Sequence, residues 1–220
     1  MAEITINQFL EKIACGSFDA SEFSENLPEA LSENEKTVVA AFFHAFEFRK
    51  NNRHTSDVID FLNDTGVFDA VLEEKALALL FEKERDYLVK LSVLDYLSGH
   101  MRSLNLERRE NLEQLVSGNS RLIVRNQVLL LLMSYPVADE KLMWYKDHLL
   151  KQLRNATDYR AHIRLYNSMM YDFDRFDCLE TAYLEELLSV SGRMEARSVK
   201  GIIAKFRLFI AANSVKTKGK

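Results

Sequence analysis

A two-residue pattern, a β-branched apolar residue followed by a cation, occurs four times at nearly even spacing. Each copy lies in an apolar stretch with helical periodicity, and each stretch follows another helical stretch and a short polar break. The copies, separated by steps of 35, 39 and 36 residues, are Val89-Lys90, Val124-Arg125, Ile163-Arg164 and Val199-Lys200. Self-similarity at this period is typical of stacked helical hairpins, which build long binding surfaces more often than catalytic pockets.

The composition favours helices and limits the class of partner. Seven Gly and two Pro in 220 residues, with 47% hydrophobic and 28% charged residues, count against turn-rich β architecture. The net charge of −4 counts against general nucleic-acid binding, which normally requires a basic surface. Two cysteines, Cys15 and Cys178, are too few for a disulfide framework.

The sequence predicts a cytoplasmic protein without a membrane segment. The first residues, MAEITINQFLEKIACG, contain acidic residues where a signal peptide would carry cations. The longest strongly apolar run, residues 128–133, is far too short to span a bilayer.

Local signals divide the N-terminal part into short helices. Thr5 with Gln8, and Ser32 with Glu35, have the spacing of capping boxes, and Gly16 is a C-terminal stop. Between them, a second short helix is predicted before Pro28. The helix that begins after Ser32 is predicted to continue through a run of phenylalanines and to close at residues 51–52, and another helix is predicted from residue 57 to a stop at residue 66.

Four helical pairs follow, with predicted bounds 68–82 and 86–100, 104–116 and 120–135, 139–153 and 158–171, and 180–189 and 194–209. The chain is therefore divided into an N-terminal helical cap (1–66), four hairpins (67–212) and a flexible basic tail (213–220) within one continuous domain. Positions four and seven residues after each tagged Val or Ile should pack against neighbouring hairpins. Asn167 breaks the first of these columns, so either it is a satisfied buried polar group or the register of the third repeat is displaced; the irregular 39-residue step favours displacement.

Two segments carry a resemblance to a known family. The segment from Leu142 to Met170, LMWYKDHLLKQLRNATDYRAHIRLYNSMM, and the segment from Ser120 to Leu132, SRLIVRNQVLLLL, resemble HEAT repeats. The resemblance covers about residues 68–209, although the usual prolines and alanines of the family are mostly missing. It implies an all-α fold, a right-handed superhelical stack of antiparallel hairpins (a HEAT-like α-solenoid) with an atypical N-terminal cap.

Three sets of side chains are candidate binding residues. The first is a cationic strip on the second helices, formed by Arg121, Arg125, Arg160, Arg164 and Lys200. These cations either bond loop carbonyls and acidic residues between repeats or capture an acidic partner. The second set would face a concave surface: Asp95, Gln127, Tyr166, Met169 and Lys205. Met169, with Leu130 and Ile202, has the alternative of being core. The third set could dock a basic partner: Glu73, Glu74, Glu107, Glu110 and Glu113.

No motif indicates a reaction, a cofactor or a metal. The segment YDFDRFDC places Asp172, Asp174 and Asp177 close together, but it lacks the glycine and glutamate of a calcium loop, so capping and solvation explain it better. The five histidines have no metal-ligand spacing, and there is no CxxC, phosphate loop or G-x-S-x-G elbow. We therefore expect a non-enzymatic protein.

The resulting prediction is a stoichiometric inhibitor or adaptor. A small, acidic, motif-free chain of this kind looks like the immunity proteins of bacterial contact-dependent growth-inhibition systems, some of which are helical and HEAT-like. That resemblance implies that an acidic surface covers the basic face of a nuclease toxin domain. Two alternatives remain. One is a HEAT-like DNA alkylation-repair or nucleic-acid-binding protein that uses the cationic strip, with Trp144 or Tyr166 near the lesion; the other is a scaffold that binds several proteins.

Overall fold

A computed structural model of the chain describes residues 5–19, 31–118, 120–176 and 179–217. Within these ranges it contains eleven α-helices, one 3-10 turn and no strand, which confirms the all-α class. The chain divides into two compact units, unit 1 (Met1–Ser103) and unit 2 (Leu104–Lys220).

The helices of unit 1 are α1 (Ile6–Cys15), α2 (Glu33–Ala45), α3 (Asn52–Thr65), α4 (Ala70–Phe81) and α5 (Tyr87–His100). Those of unit 2 are α6 (Leu106–Ser117), α7 (Leu122–Met133), α8 (Asp139–Arg154), α9 (Tyr159–Tyr171), the 3-10 turn (Phe173–Phe176), α10 (Thr181–Ser191) and α11 (Arg197–Thr217). The predicted short helix before Pro28 falls mainly on residues 20–30, outside the described ranges.

The two capping boxes predicted in unit 1 are confirmed. Thr5 with Gln8, and Ser32 with Glu35, form complete capping boxes. At the second, the Glu35 carboxylate accepts the Ser32 backbone N–H at 2.8 Å. The predicted stop at Gly16 is also confirmed, because this residue has a φ of 80° in the left-handed region that glycine adopts without strain.

The predicted extension of α2 to residues 51–52 is wrong, because α2 ends at Ala45. The Lys75 ammonium of α4 donates to the carbonyls of Phe43, His44 and Phe46, at 2.8–3.0 Å. In a continued helix these carbonyls would accept backbone N–H groups, but here the Lys75 ammonium satisfies them where the helix ends. The chain then turns, and the Asn51 side chain accepts the His54 N–H to begin α3 five residues earlier than predicted.

Unit 1 is organised around α3, which packs along α5, while α4 packs on both α5 and α2. Its core includes an aromatic cluster. Phe61 of α3 contacts the rings of Phe9, Phe18 and Phe43 at centroid distances of 6.4, 5.5 and 6.1 Å. These contacts attach α1 and α2 to α3.

Unit 2 contains two sets of packed helices. Helix α7 packs against α6, α8 and α9, and α9 packs in turn against α11. Helix α10 packs against both α8 and α11. The predicted partners α6–α7 and α10–α11 are thus in contact, as are α4–α5 in unit 1. Among the described helices, the third predicted pair, α8–α9, is not extensively packed. Instead, α8 packs against α7 and α10, and α9 packs against α7 and α11.

The register of the third repeat is displaced by one residue. Val89, Val124 and Val199 are at most 1% exposed, whereas Ile163 is only half-buried. The buried residues of α9 are Ala161, His162, Leu165, Tyr166 and Met169, whereas Asn167 is exposed. Among them, His162, Tyr166 and Met169, each 0% exposed, have the spacing of four and seven residues that the pattern predicts. His162 therefore occupies the position of the β-branched residue, and Arg164 does not align with the cations of the other repeats. Of the two alternatives for Asn167, displacement is confirmed.

The last helix continues to Thr217, beyond residue 212, where the sequence predicts the start of the tail. Residues 218–220 lie outside the described ranges. Among the helices described, none combines the length and the hydropathy that crossing a membrane requires.

Candidate protein interface

Helices α3 and α5 approach closely because small side chains lie between them. The hydroxyls of Ser56 and Ser92 are 2.7 Å apart. A Cβ atom added to Gly99 would lie 3.3 Å from the Asn63 side-chain oxygen. Both helices advance by seven residues between these two contacts, so they run in the same direction.

Four aspartates lie along this pair of helices, and we call them the aspartate face: Asp57, Asp60, Asp64 and Asp95. The first three follow the i, i+3, i+7 spacing that places side chains on one side of α3. Asp95 of α5 lies between Ser92 and Gly99, the two residues that contact α3. Asp57, Asp60 and Asp95 are half-buried, and Asp64 is exposed.

Burial disfavours the ionised form of Asp57, Asp60 and Asp64, and at Asp60 the charges of the other carboxylates add to this effect. Burial, and to a smaller extent the charges of Asp95, Asp57 and Asp64, together raise the pKa of Asp60 to about 6 against a hydrogen bond from Ser92. Burial also raises the pKa of Asp57 and of Asp64. The charged groups that act on Asp60 are thus carboxylates. Partly desolvated charges of one sign attract an opposite charge more strongly than solvated charges do.

The predicted acidic residues belong to other helices. Glu73 and Glu74 lie on α4, half-buried and exposed respectively, while Glu107 and Glu110 are exposed on α6. Glu113 is already engaged, because its carboxylate accepts from the Tyr145 hydroxyl at 2.6 Å and from the Lys141 ammonium at 2.8 Å. Of the aspartate face, only Asp95 was among the predicted binding residues, and Asp57, Asp60 and Asp64 were missed. The spacing of Asp57, Asp60 and Asp64 was visible, but the approach of Asp95 depends on helix packing.

The predicted cationic strip lies at the start of three helices. Arg121 precedes α7 and is exposed, and Arg125 is half-buried in the first turn, where its Nε atom has no hydrogen-bond partner in the described part of the chain. In α9, Arg160 is exposed and bonds Asp158 at 3.2 Å, while Arg164 is half-buried. Lys200 is exposed on α11. Because α9 packs against both α7 and α11, the structure places these cations on adjacent helices. Cations at helix N-termini oppose the helix dipole.

The predicted concave face requires a correction. Gln127, Tyr166 and Met169 are 6%, 0% and 0% exposed, so they belong to the core of unit 2 and offer no accessible surface. The Tyr166 hydroxyl is 2.9 Å from the Leu187 carbonyl and 2.7 Å from the Ser191 hydroxyl. Asp95 is half-buried and Lys205 is exposed, but they lie in different units. The register displacement in α9 accounts for Tyr166 and Met169.

The described residues contain no cluster of three or more His, Cys, Asp or Glu side chains suited to a metal ion. Asp172 follows α9 as its C-cap, and Asp174 lies in the 3-10 turn. Asp177 and Cys178 lie outside the described ranges, and Cys15 is an exposed free thiol.

Comparisons with known proteins leave the interpretation to the geometry: no family model, no curated protein and no solved structure matches the chain.

Proposed function

We propose that the chain is a non-enzymatic protein-binding module, a stoichiometric inhibitor that neutralises a nuclease-type toxin in the cytoplasm as an immunity protein. The aspartate face carries this proposal, because it presents clustered carboxylates of raised pKa. A nuclease binds phosphates with Lys and Arg side chains, so its substrate-binding face is positively charged. Docking on that face would block substrate access.

The proposed mechanism uses the repulsion within the aspartate face. In the free chain, Asp60 is disfavoured as an anion by burial and by three neighbouring carboxylates. Cations from a partner would replace this repulsion with ion pairs in a partly desolvated site. Complementary charge of this kind accelerates association and discriminates between partners. The Ser56–Ser92 contact holds the two helices in the required register.

The architecture that we propose for unit 2 is a divergent HEAT-like stack. Its support is the pairing of helices: α7, α9 and α11 pack in a row, and α8 packs on α10. Helices α4 and α5 of unit 1 would form a further pair of the same kind. Scaffolds of this type present long surfaces to other proteins.

The experiment is affinity purification of the tagged chain from its source organism at moderate salt. Wild type is compared with Asp60→Asn/Asp95→Asn and with Glu107→Gln/Glu110→Gln, which removes the same charge from α6. We expect wild type and the α6 variant to recover one basic protein in stoichiometric amount. The aspartate variant should recover at least tenfold less of this protein. The purified partner should be a nuclease that the wild-type chain inhibits at one equivalent.

Two results would count against the proposal. Recovery of nucleic acid without a protein would remove the inhibitor function. Equal recovery of the partner by all three chains would show that the aspartate face is not the docking surface. Loss of the partner with the α6 variant alone would place the docking surface on α6.

A second candidate function, nucleic-acid binding or alkylation repair, is favoured by the cations on α7, α9 and α11. Tyr166 no longer supports a lesion pocket because it is fully buried. Retention of the chain on duplex DNA at increasing salt tests this function, since several phosphate contacts make affinity fall steeply with salt. Arg121→Glu/Arg125→Glu should abolish retention if the strip binds DNA.

A further inference from the structure

Unit 1 contains an open groove of about 620 Å³ where the end of α2 meets α4. This volume is in the range of roughly 300–1,000 Å³ found for ligand pockets. Apolar side chains form its floor and walls, and four charged residues lie around them. The described lining residues are Phe46, Glu47, Phe48, Lys75, Ala78, Leu79, Phe81, Glu82 and Arg85.

The aromatic wall is anchored in the core. The Phe46 and Phe48 rings meet edge to face at 5.4 Å. Both also contact Phe43, which is 0% exposed, at 5.5 and 6.4 Å. Phe43 in turn contacts Phe61 of α3. A wall held in this way is already organised, so a ligand would not have to order it on binding.

The two cations of the groove are committed to the fold. Lys75 donates to three carbonyls at the end of α2, which uses all three of its N–H groups. Arg85 is 8% exposed, and its guanidinium donates to the carbonyls of Arg49 and Phe48 and to the Glu82 carboxylate. Neither side chain is therefore a ready donor for a ligand.

The carboxylates, in contrast, are accessible. Glu47 is exposed, and the Glu82 side chain is 41% exposed even though one of its oxygens accepts from Arg85. The edge of the groove thus offers hydrogen-bond acceptors with negative charge. Its complement is an apolar group with a cation beside it.

We propose that this groove binds a protein segment in which a bulky apolar side chain is flanked by Lys or Arg. The apolar side chain would lie against Phe46, Leu79 and Phe81, and the cation would pair with Glu47 or with the accessible oxygen of Glu82. This docking site shares none of its described lining residues with the aspartate face, and it does not depend on the inhibitor function proposed above.

The test is an NMR titration of the methyl-labelled full-length chain with three synthetic peptides. The probe contains Lys-Leu-Phe-Lys between Gly-Ser spacers, and the matched peptides contain Glu-Leu-Phe-Glu or Lys-Ser-Ser-Lys. We expect saturable shifts of the Ala78 and Leu79 methyl groups with the first peptide, and at least tenfold weaker binding of the other two. Equal binding of the acidic peptide, or no shift with the first, would overturn the proposal.

Three variants locate the site. Phe81→Ser removes part of the apolar wall, and Glu47→Lys reverses the charge of an exposed residue. Each variant should bind the first peptide at least fivefold more weakly than wild type does. Leu88→Ser is the matched control, because Leu88 is 44% exposed against 37% for Phe81 but does not line the groove. Glu47→Lys keeps the test valid if Phe81→Ser perturbs folding. Loss of binding with Leu88→Ser alone would contradict the assignment.

Two further measurements distinguish peptide binding in the groove from binding at the aspartate face and from self-association. Asp60→Asn/Asp95→Asn should leave peptide binding unchanged, so the groove and the proposed inhibitor function can fail independently. In sedimentation, we expect the unliganded wild-type chain to show no dimer that depends on Phe81. Such a dimer would mean that a second copy of the chain occupies the groove, and would overturn the proposal.

Discussion

In unit 1, the half-buried Asp60 of α3 experiences the charges of three other carboxylates, whereas unit 2 contains two networks in which buried polar side chains from different helices are hydrogen-bonded to each other. In unit 1, Asp60 gains one hydrogen bond from Ser92 and faces the charges of three carboxylates. In unit 2, hydroxyl, imidazole and carboxylate groups from different helices are mutual partners. The polar groups described in unit 2 therefore stabilise the packing of helices, whereas the carboxylates around Asp60 in unit 1 do not.

One chain of hydrogen bonds in unit 2 joins α9 to α10. His162 Nδ1 is 2.8 Å from the Ser191 hydroxyl, which is 2.7 Å from the Tyr166 hydroxyl, and the latter is 2.9 Å from the Leu187 carbonyl. Each group can donate once along this chain if Nδ1 carries the imidazole proton. Burial lowers the pKa of His162, which agrees with a neutral ring.

A second network joins α6 to α8. The Tyr145 hydroxyl donates to Glu113, and Arg109 donates to the Pro136 carbonyl at 3.0 Å and lies 3.4 Å from the Tyr145 oxygen. Burial, followed by the bond to Glu113, raises the pKa of Tyr145 to about 12. Satisfied polar groups of this kind stabilise a specific packing, whereas clustered carboxylates are better placed to stabilise a complex.

The largest effect should follow from removal of the Tyr166 hydroxyl. Tyr166→Phe removes the hydrogen bond to the Leu187 carbonyl and leaves the buried Ser191 hydroxyl without its acceptor, so we expect a loss of about 2–3 kcal/mol. The control in unit 1 is Tyr96→Phe, which removes a single bond to the Val67 carbonyl at 2.8 Å and should cost about 1 kcal/mol. Native-state hydrogen exchange measures each unit separately. Equal losses would show that the network in unit 2 adds nothing beyond its separate bonds.

Glu113→Ala should produce the next largest loss. It removes the acceptor of Tyr145 and Lys141 in a side chain only 16% exposed, and we expect a cost of about 2 kcal/mol. Glu110→Ala, an exposed change on the same helix, should stay within about 0.5 kcal/mol. Urea unfolding followed by the fluorescence of Trp144, the single tryptophan of the chain, reports on unit 2. Similar losses for both variants would assign Glu113 to the solvated surface.

Local signals in the sequence predicted local structure well. Thr5 with Gln8, Ser32 with Glu35, and the stop at Gly66 all lie within one helical turn of the groups that they bond. Interactions of this range are determined by neighbours in sequence. Periodicity predicted the helix bounds of unit 2 to within three residues, except that the last helix continues to Thr217 instead of ending at residue 209.

Distant contacts determined what the sequence did not predict. α2 ends where Lys75, 30 residues after Ala45, binds its carbonyls. The aspartate face needs Asp95 brought to α3 by the Ser56–Ser92 contact. A displacement of one residue in α9 moved Tyr166 and Met169 from the predicted surface into the core, because a single residue rotates a helix face by about 100°.

The burial of Asp60, together with the charges of the neighbouring carboxylates, should make the stability of unit 1 depend on pH. Its pKa of about 6 exceeds the ordinary 3.8, so between these values the folded chain holds a proton that the unfolded chain releases. Stability from this group is therefore lost as the pH rises through 6. Asp60→Asn should be more stable than wild type at pH 7.5 by roughly 1–2 kcal/mol after allowance for solvent screening, with the advantage shrinking towards pH 4.

This prediction is checked by measuring the free energy of unfolding in urea at several pH values, and by hydrogen exchange of the α3 amides at the same pH values. Burial lowers the pKa of His54 and of His162, so their contribution falls as the pH drops below 6.5, in the opposite direction. Both histidines remain in the variant, so they cancel in the difference between variant and wild type. A stability difference that does not change with pH would show that the pKa of Asp60 is not raised in the folded chain.

The smallest effect should come from an exposed ion pair of unit 2. Arg154 of α8 and Glu186 of α10 are 2.7 Å apart, with side chains 50% and 48% exposed. A double-mutant cycle with alanine should give a coupling of about 0.2–1 kcal/mol that decreases with salt, because water and ions screen the pair. The Lys141–Glu113 pair has a similar separation, 2.8 Å, but Glu113 is largely buried and also holds Tyr145. A larger coupling for the exposed pair would show that geometry, and not burial within a network, determines what polar contacts contribute to unit 2.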